Sequence, residues 1–207
     1  RNKRNWISPY GKNIYFSFAW KTKLNLSKLD GLSLATAVVI AENLQTMVKQ
    51  KIRIKWPNDL VIDDKKFGGI LIETSQQKKK LSEIVIGIGI NINMTKEEGS
   101  SINQNWVSLS DFSDQPLDRN LIASKLLKGI LNLSIKFPEL GFSPYKDSFQ
   151  SLHILNNKDC VIELSDKIKI FGKVIGINKK GEILIKKNGE ILSFRYGEIS
   201  IRKAEDI

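Results

Sequence analysis

The sequence predicts an α+β protein, a β-sheet backed by helices and followed by a small C-terminal β-barrel. Three observations carry this. Runs of period two, such as Lys51-Ile52-Arg53-Ile54-Lys55-Trp56, have the pattern of half-buried strands. Two stretches, at about residues 29–48 and 118–137, place apolar residues at helical spacing. Past Asn156-Asn157, short strand-like runs alternate with hairpin turn signals and no helical pattern intervenes. At 207 residues and 41% hydrophobic composition, the chain can bury one main domain and a small one. The change of texture places the boundary near 155, dividing 1–154 from 155–207.

Residues 1–10 are basic, aromatic and without period, and Pro9 and Gly11 punctuate their end. They read either as a frayed basic terminus or as a loop over phosphate and purine, with guanidinium groups for oxyanions and the Trp6 indole for stacking. Residues 14–20 form an aromatic-rich strand. Ser27 or Asp30 then caps a helix over about 29–48, whose apolar face is core. The segment 95–106 is polar and turn-rich and directly follows a strand, where a ligand-covering loop would serve. Asp118 starts a second helix and Pro138 ends it. Ser143-Pro144-Tyr145 opens a short third helix, with proline at the tolerated first turn. Strands at 161–164, 167–177, 182–187 and 190–196 follow, with Asn178-Lys179-Lys180-Gly181 and Asn188-Gly189 as turns. Small barrels of this kind often bind nucleic acid or peptides.

The chemistry concentrates in the middle. Lys55-Trp56-Pro57-Asn58-Asp59-Leu60 ends a strand, because Pro57 cannot donate to a ladder, and Asn58 and Asp59 begin a turn. A second strand over 67–73 begins within Lys66-Phe67-Gly68-Gly69-Ile70-Leu71, and a third spans 84–91. Side by side, these three strands make an apolar floor thinned by Gly68, Gly69, Gly87 and Gly89 and edged by Lys55, Asn58, Asp59, Lys66 and Asn91. Glycine in a strand often marks close approach of a ligand or another backbone. Such a floor suits a flat apolar ligand with one anionic group; an ordinary three-stranded core with turn residues at its ends explains the same pattern.

Composition narrows the choice. The single cysteine, Cys160, excludes an internal disulfide and a cysteine-cluster metal site and fits a reducing cytoplasm. The single histidine, His153, has no partner constellation and reads as structural or surface, so histidine-based catalysis and metal sites are poor candidates. No apolar run reaches the roughly 18 residues that span a bilayer, and no secretory signal is visible. Against 22 acidic residues the chain carries 33 Lys and Arg, a net charge of +11. The lysines are scattered, which favours handling of phosphate over a nucleic-acid interface. The sequence opens Arg1-Asn2-Lys3-Arg4 without an initiator Met, so a fragment is expected.

Nearly the whole chain resembles a bacterial biotin protein ligase. The resemblance rests on Arg1-x-x-Arg4-x-Trp6-x-Ser8-Pro9-x-Gly11-x-Asn13-Ile14-Tyr15 and on Lys55-Trp56-Pro57-Asn58-Asp59-Leu60. It continues in Lys66-x-x-Gly69-Ile70-Leu71, Gly87-Ile88-Gly89-Ile90-Asn91, Asn103-Gln104-x-Trp106 and Gly197-Glu198-Ile199-Ser200-x-Arg202, all in the family's order. It implies a mixed sheet with helices, similar to class II aminoacyl-tRNA synthetases, with an SH3-like barrel attached. It also implies that biotin and ATP, with Mg²⁺, give biotinoyl-5′-adenylate and pyrophosphate. A lysine of a biotin carboxyl carrier protein then takes the acyl group.

Carried over residue by residue, Lys66 matches the lysine bridging the biotin carboxyl and the α-phosphate. Arg1 matches the last arginine of a Gly-Arg-Gly-Arg run that helps retain the adenylate, and both residues are expected in catalysis and biotin binding. Gly69, Gly87 and Ile90 match the biotin floor. Arg4, Trp6, Asn58, Asp59, Asn91, Glu198 and Arg202 are expected at ATP and the adenylate, and no side chain is assigned to a metal. The family's upstream segment with its biotin ureido contacts is absent from this sequence, and Asn2-Lys3 stands where Arg-Gly is usual. A lipoate or octanoate ligase on the same fold and a non-enzymatic nucleic-acid binder are the alternatives. The intact Lys-Trp-Pro-Asn-Asp block argues against the first and the scattered charge against the second. A homodimer is an open expectation, a membrane partner is not expected, and the cytoplasm is the expected location.

Overall fold

A computed structural model describes residues 7–76, 81–164, 168–196 and 199–204. Strand β1 (Ile14–Thr22) is followed by a 3₁₀ turn and helix α1 (Leu32–Gln45). Strands β2 (Arg53–Lys55), β3 (Asp59–Ile62), β4 (Lys65–Gln76) and β5 (Ser82–Ile90) come next, then helices α2 (Arg119–Leu140) and α3 (Lys146–Leu152). The chain closes with β6 (Asp159–Leu164), β7 (Lys169–Ile177), β8 (Ile183–Lys187), β9 (Glu190–Phe194) and β10 (Ile199–Lys203). The first sheet has the order β1-β5-β4-β3-β2 and the second β10-β6-β7-β8-β9. The α+β class holds. The mixed sheet does not: every strand pair in both sheets is antiparallel, and parallel pairing is confined to isolated bridges such as Ile54 with His153. Short turns join β2 to β3 and β3 to β4, and a strand that returns through a short turn can only run antiparallel.

The expected three-strand floor also changes. Residues 51–56 do not lie beside 67–73, because β3 sits between them and pairs with both. Asp59, read from sequence as a turn residue, is the first residue of that strand. Helix α1 is shorter than its apolar pattern and is capped by Gly31 rather than by a side chain, with φ at +79°. Two constraints favour glycine there: the left-handed backbone, and Phe142, whose Cγ would lie 2.5 Å from an added methyl. Asp118 caps α2 as expected, accepting from Asn120 N–H at 2.7 Å. Pro138 does not end that helix; the last turn still closes, with Gly141 N–H donating to Phe137 O at 2.9 Å.

Helix α1 is buried nearly all round, through Leu32, Leu34, Ala37, Ile40, Ala41 and Leu44. It packs on β2, β3 and β4 on one side and on α2 and α3 on the others. The core then runs on without a break into Cys160, Ile162, Val174, Ile183 and Ile185 of the second sheet. Across the boundary Trp56 Nε1–H donates to Gly181 O at 3.1 Å and Lys203 Nζ–H to Asp64 Oδ2, while Ile154 N–H, at the end of the first half, donates to Ile54 O at 3.0 Å. The second sheet is open among the described residues, with β9 and β10 at its edges.

His153 caps α3 in this junction, stacked on Phe149 with ring centroids 5.6 Å apart, and is structural. Burial pushes its imidazole down to about 3, and its Nε2 is buried without a partner. In the unfolded chain the ring takes up a proton near its ordinary value of 6.5. Between these values the unfolded state binds a proton that the folded state does not, so stability falls as pH drops from 6.5 towards 3. Urea unfolding at pH 7 and pH 5 checks this: His153→Phe is expected to flatten the loss of stability between the two. An equal loss in both proteins would remove His153 as its source.

Candidate functional site

The site forms where the β3–β4 hairpin, the end of β5 and the segment 95–106 converge. Lys66 is fixed through its backbone: its N–H donates to Asn105 O and its carbonyl accepts from Val107 N–H, both at 3.0 Å. The 95–106 segment is thereby laid along the start of β4. The Lys66 ammonium lies 2.5 Å from Asp59 Oδ1, and both side chains are only about 30% exposed (28% and 30%). Asp59 pairs in register with Gly69, where an added methyl would sit 3.3 Å from Lys66 Nζ. The glycine thus leaves room for the ion pair to lie over the sheet.

Alternation sorts the predicted floor. Gly69, Gly87 and Gly89 share the open face of the sheet with Leu71 and Val85. Ile90 does not: it is fully buried on the core face, against Gly68, where a methyl would lie 2.7 Å from its Cδ1. The β period sends successive side chains to opposite faces, so Ile90 can serve the floor through its main chain alone. Gly68 reaches the cavity by backbone for the same reason.

The Lys-Trp-Pro-Asn-Asp block divides by role. Trp56 is buried as an anchor, and the Trp56-Pro57 peptide is cis. Asn58 is committed to the β4 backbone: its Nδ2 donates to Ile70 O at 2.5 Å and its carbonyl accepts from Ile70 N–H at 3.1 Å. Lys55 and Asp59 of the block line the larger of the two cavities beside Lys66. Asn91 lines the glycine floor and donates to Val107 O at 3.3 Å.

Two cavities meet at Lys66 and Gln104. The smaller, about 90 Å³, lies over Gly69 and Gly89 and is roofed by Ile7, Ile102 and Trp106. The larger, about 470 Å³, is lined by Lys55, Asp59, Asp64, Ile154 and Lys203. A third depression, beside residues 8–16, has Arg119 as its charged side chain, and Arg119 Nε–H already donates to Asn13 O at 3.1 Å. Among the described residues no group of three His, Cys, Asp or Glu is placed to hold a metal ion. Asp59 and Asp64 are the carboxylates facing the larger cavity.

Arg202 takes the other face of β10, 4.0 Å from Glu163, while its neighbour Lys203 enters the larger cavity. Arg1, Arg4, Trp6 and Glu198 lie outside the described residues. Sequence reading missed Ile7, Ile102, Asp64 and Lys203. Period-two alternation from Arg202 was the available signal for Lys203, and the two-residue turn Asp63-Asp64 that for Asp64.

The 95–106 segment is latched over the floor. Trp106 Nε1–H donates to Gly99 O at 3.2 Å, and Lys96 Nζ sits 4.3 Å from the indole centroid. A methyl on Gly99 would lie 2.0 Å from Trp106 Cζ2. Gly99→Ala is therefore expected to unseat Trp106 at a local cost of about 1–3 kcal/mol. Limited proteolysis within 95–106 should quicken while the global unfolding midpoint moves little; unchanged proteolysis would count against the latch.

The Biotin/lipoate A/B protein ligase family matches residues 1–91. The chain is 38% identical over 205 residues to the bifunctional ligase/repressor BirA of Escherichia coli, covering 99% of this chain and 63% of that protein. It is 32% identical over 132 residues to the biotin–[acetyl-CoA-carboxylase] ligase of Mycobacterium tuberculosis, covering 62% of this chain and 47% of that protein. Its fold matches the biotin protein ligase of Aquifex aeolicus in complex with biotin and ATP with a TM-score of 0.80 and 30% identity, over 99% of this chain and 84% of that one. On that identity along nearly its whole length, and on that shared fold, the chain belongs to the biotin/lipoate protein ligase family.

Proposed function

We propose that the protein adenylates biotin with ATP and passes the biotinoyl group to a lysine of a biotin carboxyl carrier protein. The observation that carries this is the Lys66–Asp59 pair at the meeting of two unlike cavities, one paved with glycine and the other lined by lysines. A biotin carboxylate oxygen attacks the α-phosphorus of ATP, the bond to the bridging oxygen breaks, and pyrophosphate leaves. The amine of the acceptor lysine then attacks the acyl carbon of the mixed anhydride, and AMP departs. Negative charge gathers on the phosphorus oxygens in the first step, and a preorganised cation at Lys66 lowers its energy. Asp59 keeps that ammonium over the floor. The described walls of the smaller cavity enclose about 90 Å³, against roughly 300 Å³ or more for a small-molecule site. Entry of biotin therefore displaces the Trp106 latch, which on reclosing shields a hydrolysable anhydride from water.

On the resemblance alone, Arg1, Arg4, Trp6, Glu198 and Arg202 remain proposed nucleotide and adenylate contacts, and Gly87 remains proposed floor. Mg²⁺ fits the donor set only as an ion arriving with the nucleotide, because one or two carboxylates plus substrate phosphates suffice for it; Asp59 and Asp64 are the carboxylates in reach, and bound there it would add charge neutralisation at the phosphates. We read 155–207 as an SH3-like barrel domain whose core is continuous with that of 1–154. The support is five short strands and a β7 bent at the bulge between Val174 and Gly176, the kind of bend that closes a sheet. A homodimer and a cytoplasmic location belong to the same reading, the latter supported by the single, buried, free Cys160. No helix among the described residues is long and apolar enough to cross a membrane.

The test is biotin-dependent exchange of pyrophosphate into ATP, which needs no acceptor, with lipoate as the competing acid. Exchange with biotin but not lipoate is expected; exchange with lipoate alone would move the protein to the other branch of its family. Lys66→Ala is expected to lower exchange by about 100-fold or more, the loss typical of removing one preorganised stabilising group. Its unfolding midpoint should stay close to that of the parent, because Lys66 is partly exposed and its backbone bonds are kept. Retained exchange in a folded Lys66→Ala protein would end its assignment.

A further inference from the structure

We propose that Lys203 is the cation that the C-terminal sheet adds to the polyphosphate end of the nucleotide site, held by the Asp64 carboxylate until phosphate displaces it. This rests on the adenylation reading of the neighbouring floor and names a residue that the family motif does not single out. Lys66 and Gln104 are shared by both cavities, so a ligand whose carboxyl end lies on the glycine floor meets the larger cavity on the far side of the reacting phosphorus. There the β and γ phosphates must lie and pyrophosphate must form. The space, about 470 Å³, accommodates them.

The charges support the assignment. Lys55, Lys66 and Lys203 line the cavity with Asp59 and Asp64. Asp59 is paired with Lys66 and Asp64 with Lys203, while Lys55 makes no ion pair among the described residues. The cavity is thus left with net positive charge. Lys203 is only 19% exposed at its side chain whereas Asp64 is 54% exposed. An ammonium so placed needs an anionic partner, but Asp64 can return to water at little cost. A polyphosphate carries several charges where Asp64 carries one, so it competes well for Lys203.

The backbone shows that the Asp64 contact is built. Asp63 and Asp64 both occupy the left-handed region, with φ of +49° and +60°, in the two-residue turn between β3 and β4. That turn type is usually made by Asn-Gly, because side chains other than glycine, Asn and Asp resist it. Here it carries a carboxylate at its second position, aimed across to β10. Arg202, one residue earlier, faces away towards Glu163.

Calorimetric titration of inorganic pyrophosphate into the protein tests this, with biotin-dependent exchange run on the same samples. Lys203→Gln is expected to weaken pyrophosphate binding at least tenfold and to raise the exchange KM for pyrophosphate while leaving that for biotin unchanged. Lys203→Arg should restore most of the affinity, and Asp64→Asn should bind pyrophosphate as tightly as the parent or more so. Lys173→Ala, on the outer face of β7, controls for general charge and should change nothing. A parent protein that does not bind pyrophosphate, or a folded Lys203→Gln protein that binds it equally well, would overturn the proposal. If Lys203-dependent binding appears without biotin-dependent exchange, the adenylation reading fails and the polyphosphate site stands. If exchange persists with an unchanged pyrophosphate KM in Lys203→Gln, the polyphosphate site fails and the adenylation reading stands.

Discussion

The hydrogen bond from the Trp56 indole to Gly181 O is the constraint from which the working geometry follows. Trp56 stands between Lys55, which faces the larger cavity, and the turn that delivers Asp59 to Lys66. Anchoring it to the β7–β8 turn fixes the edge of the first sheet against the second. Gly181 must come close for this to happen: an added methyl would lie 3.1 Å from Gly31 Cα. Gly31 in turn must admit Phe142. A chain of close approaches, at Phe142, Gly31, Gly181 and Trp56, thus brings α1, the α2–α3 connection and both sheets to one point, with His153 buried nearby. The site lies at the edge of this junction, which is why residues as distant in sequence as Asp64 and Lys203 can meet.

Within the site, small side chains and charges have complementary tasks. Gly69 and Gly89 lower the floor, Gly69 leaves room for the Lys66 ammonium, and Asp59 holds that ammonium in place. Gly99 lets the Trp106 ring close over the top. The same economy of space explains Asn58, whose amide ties the turn to β4 and so aims its neighbour Asp59 into the cavity. A residue expected to touch nucleotide works, in the described structure, by shaping the backbone on which the contacting residues stand.

Much of this was legible in the sequence, for definable reasons. Strong alternation exposed β1, β4 and β5, and Asp118 announced the start of α2 because its side-chain oxygen serves a local purpose. Lys66, Asp59, Gly69 and Asn91 could be brought together because they lie on one hairpin and the adjoining strand end. What stayed hidden needed register or long-range packing. Strand β3 begins at Asp59, directly after a proline and an asparagine, where turn chemistry masks the strand. Ile90 belongs to the floor by resemblance alone, and Gly87 and Gly89 blur the alternation that would have assigned its side chain to the core face. Pro138 reads as a stop, yet the final turn of α2 closes through the Gly141 N–H and the Phe137 carbonyl. Lys203 and Asp64 are unremarkable letters until two sheets are brought face to face.

The unbroken core between the sheets has a thermodynamic consequence. Trp56, Leu34, Cys160 and Ile183 belong to one apolar cluster, so neither sheet can melt while the other keeps its packing intact. Heat or denaturant should therefore see a single cooperative unit despite the change of texture along the chain. A destabilising substitution in the C-terminal strands is felt at the floor under Lys66 as fully as one in β4. Evolution cannot treat the terminal strands as an exchangeable appendage here, because exchanging them would strip the wall from the site they help to enclose.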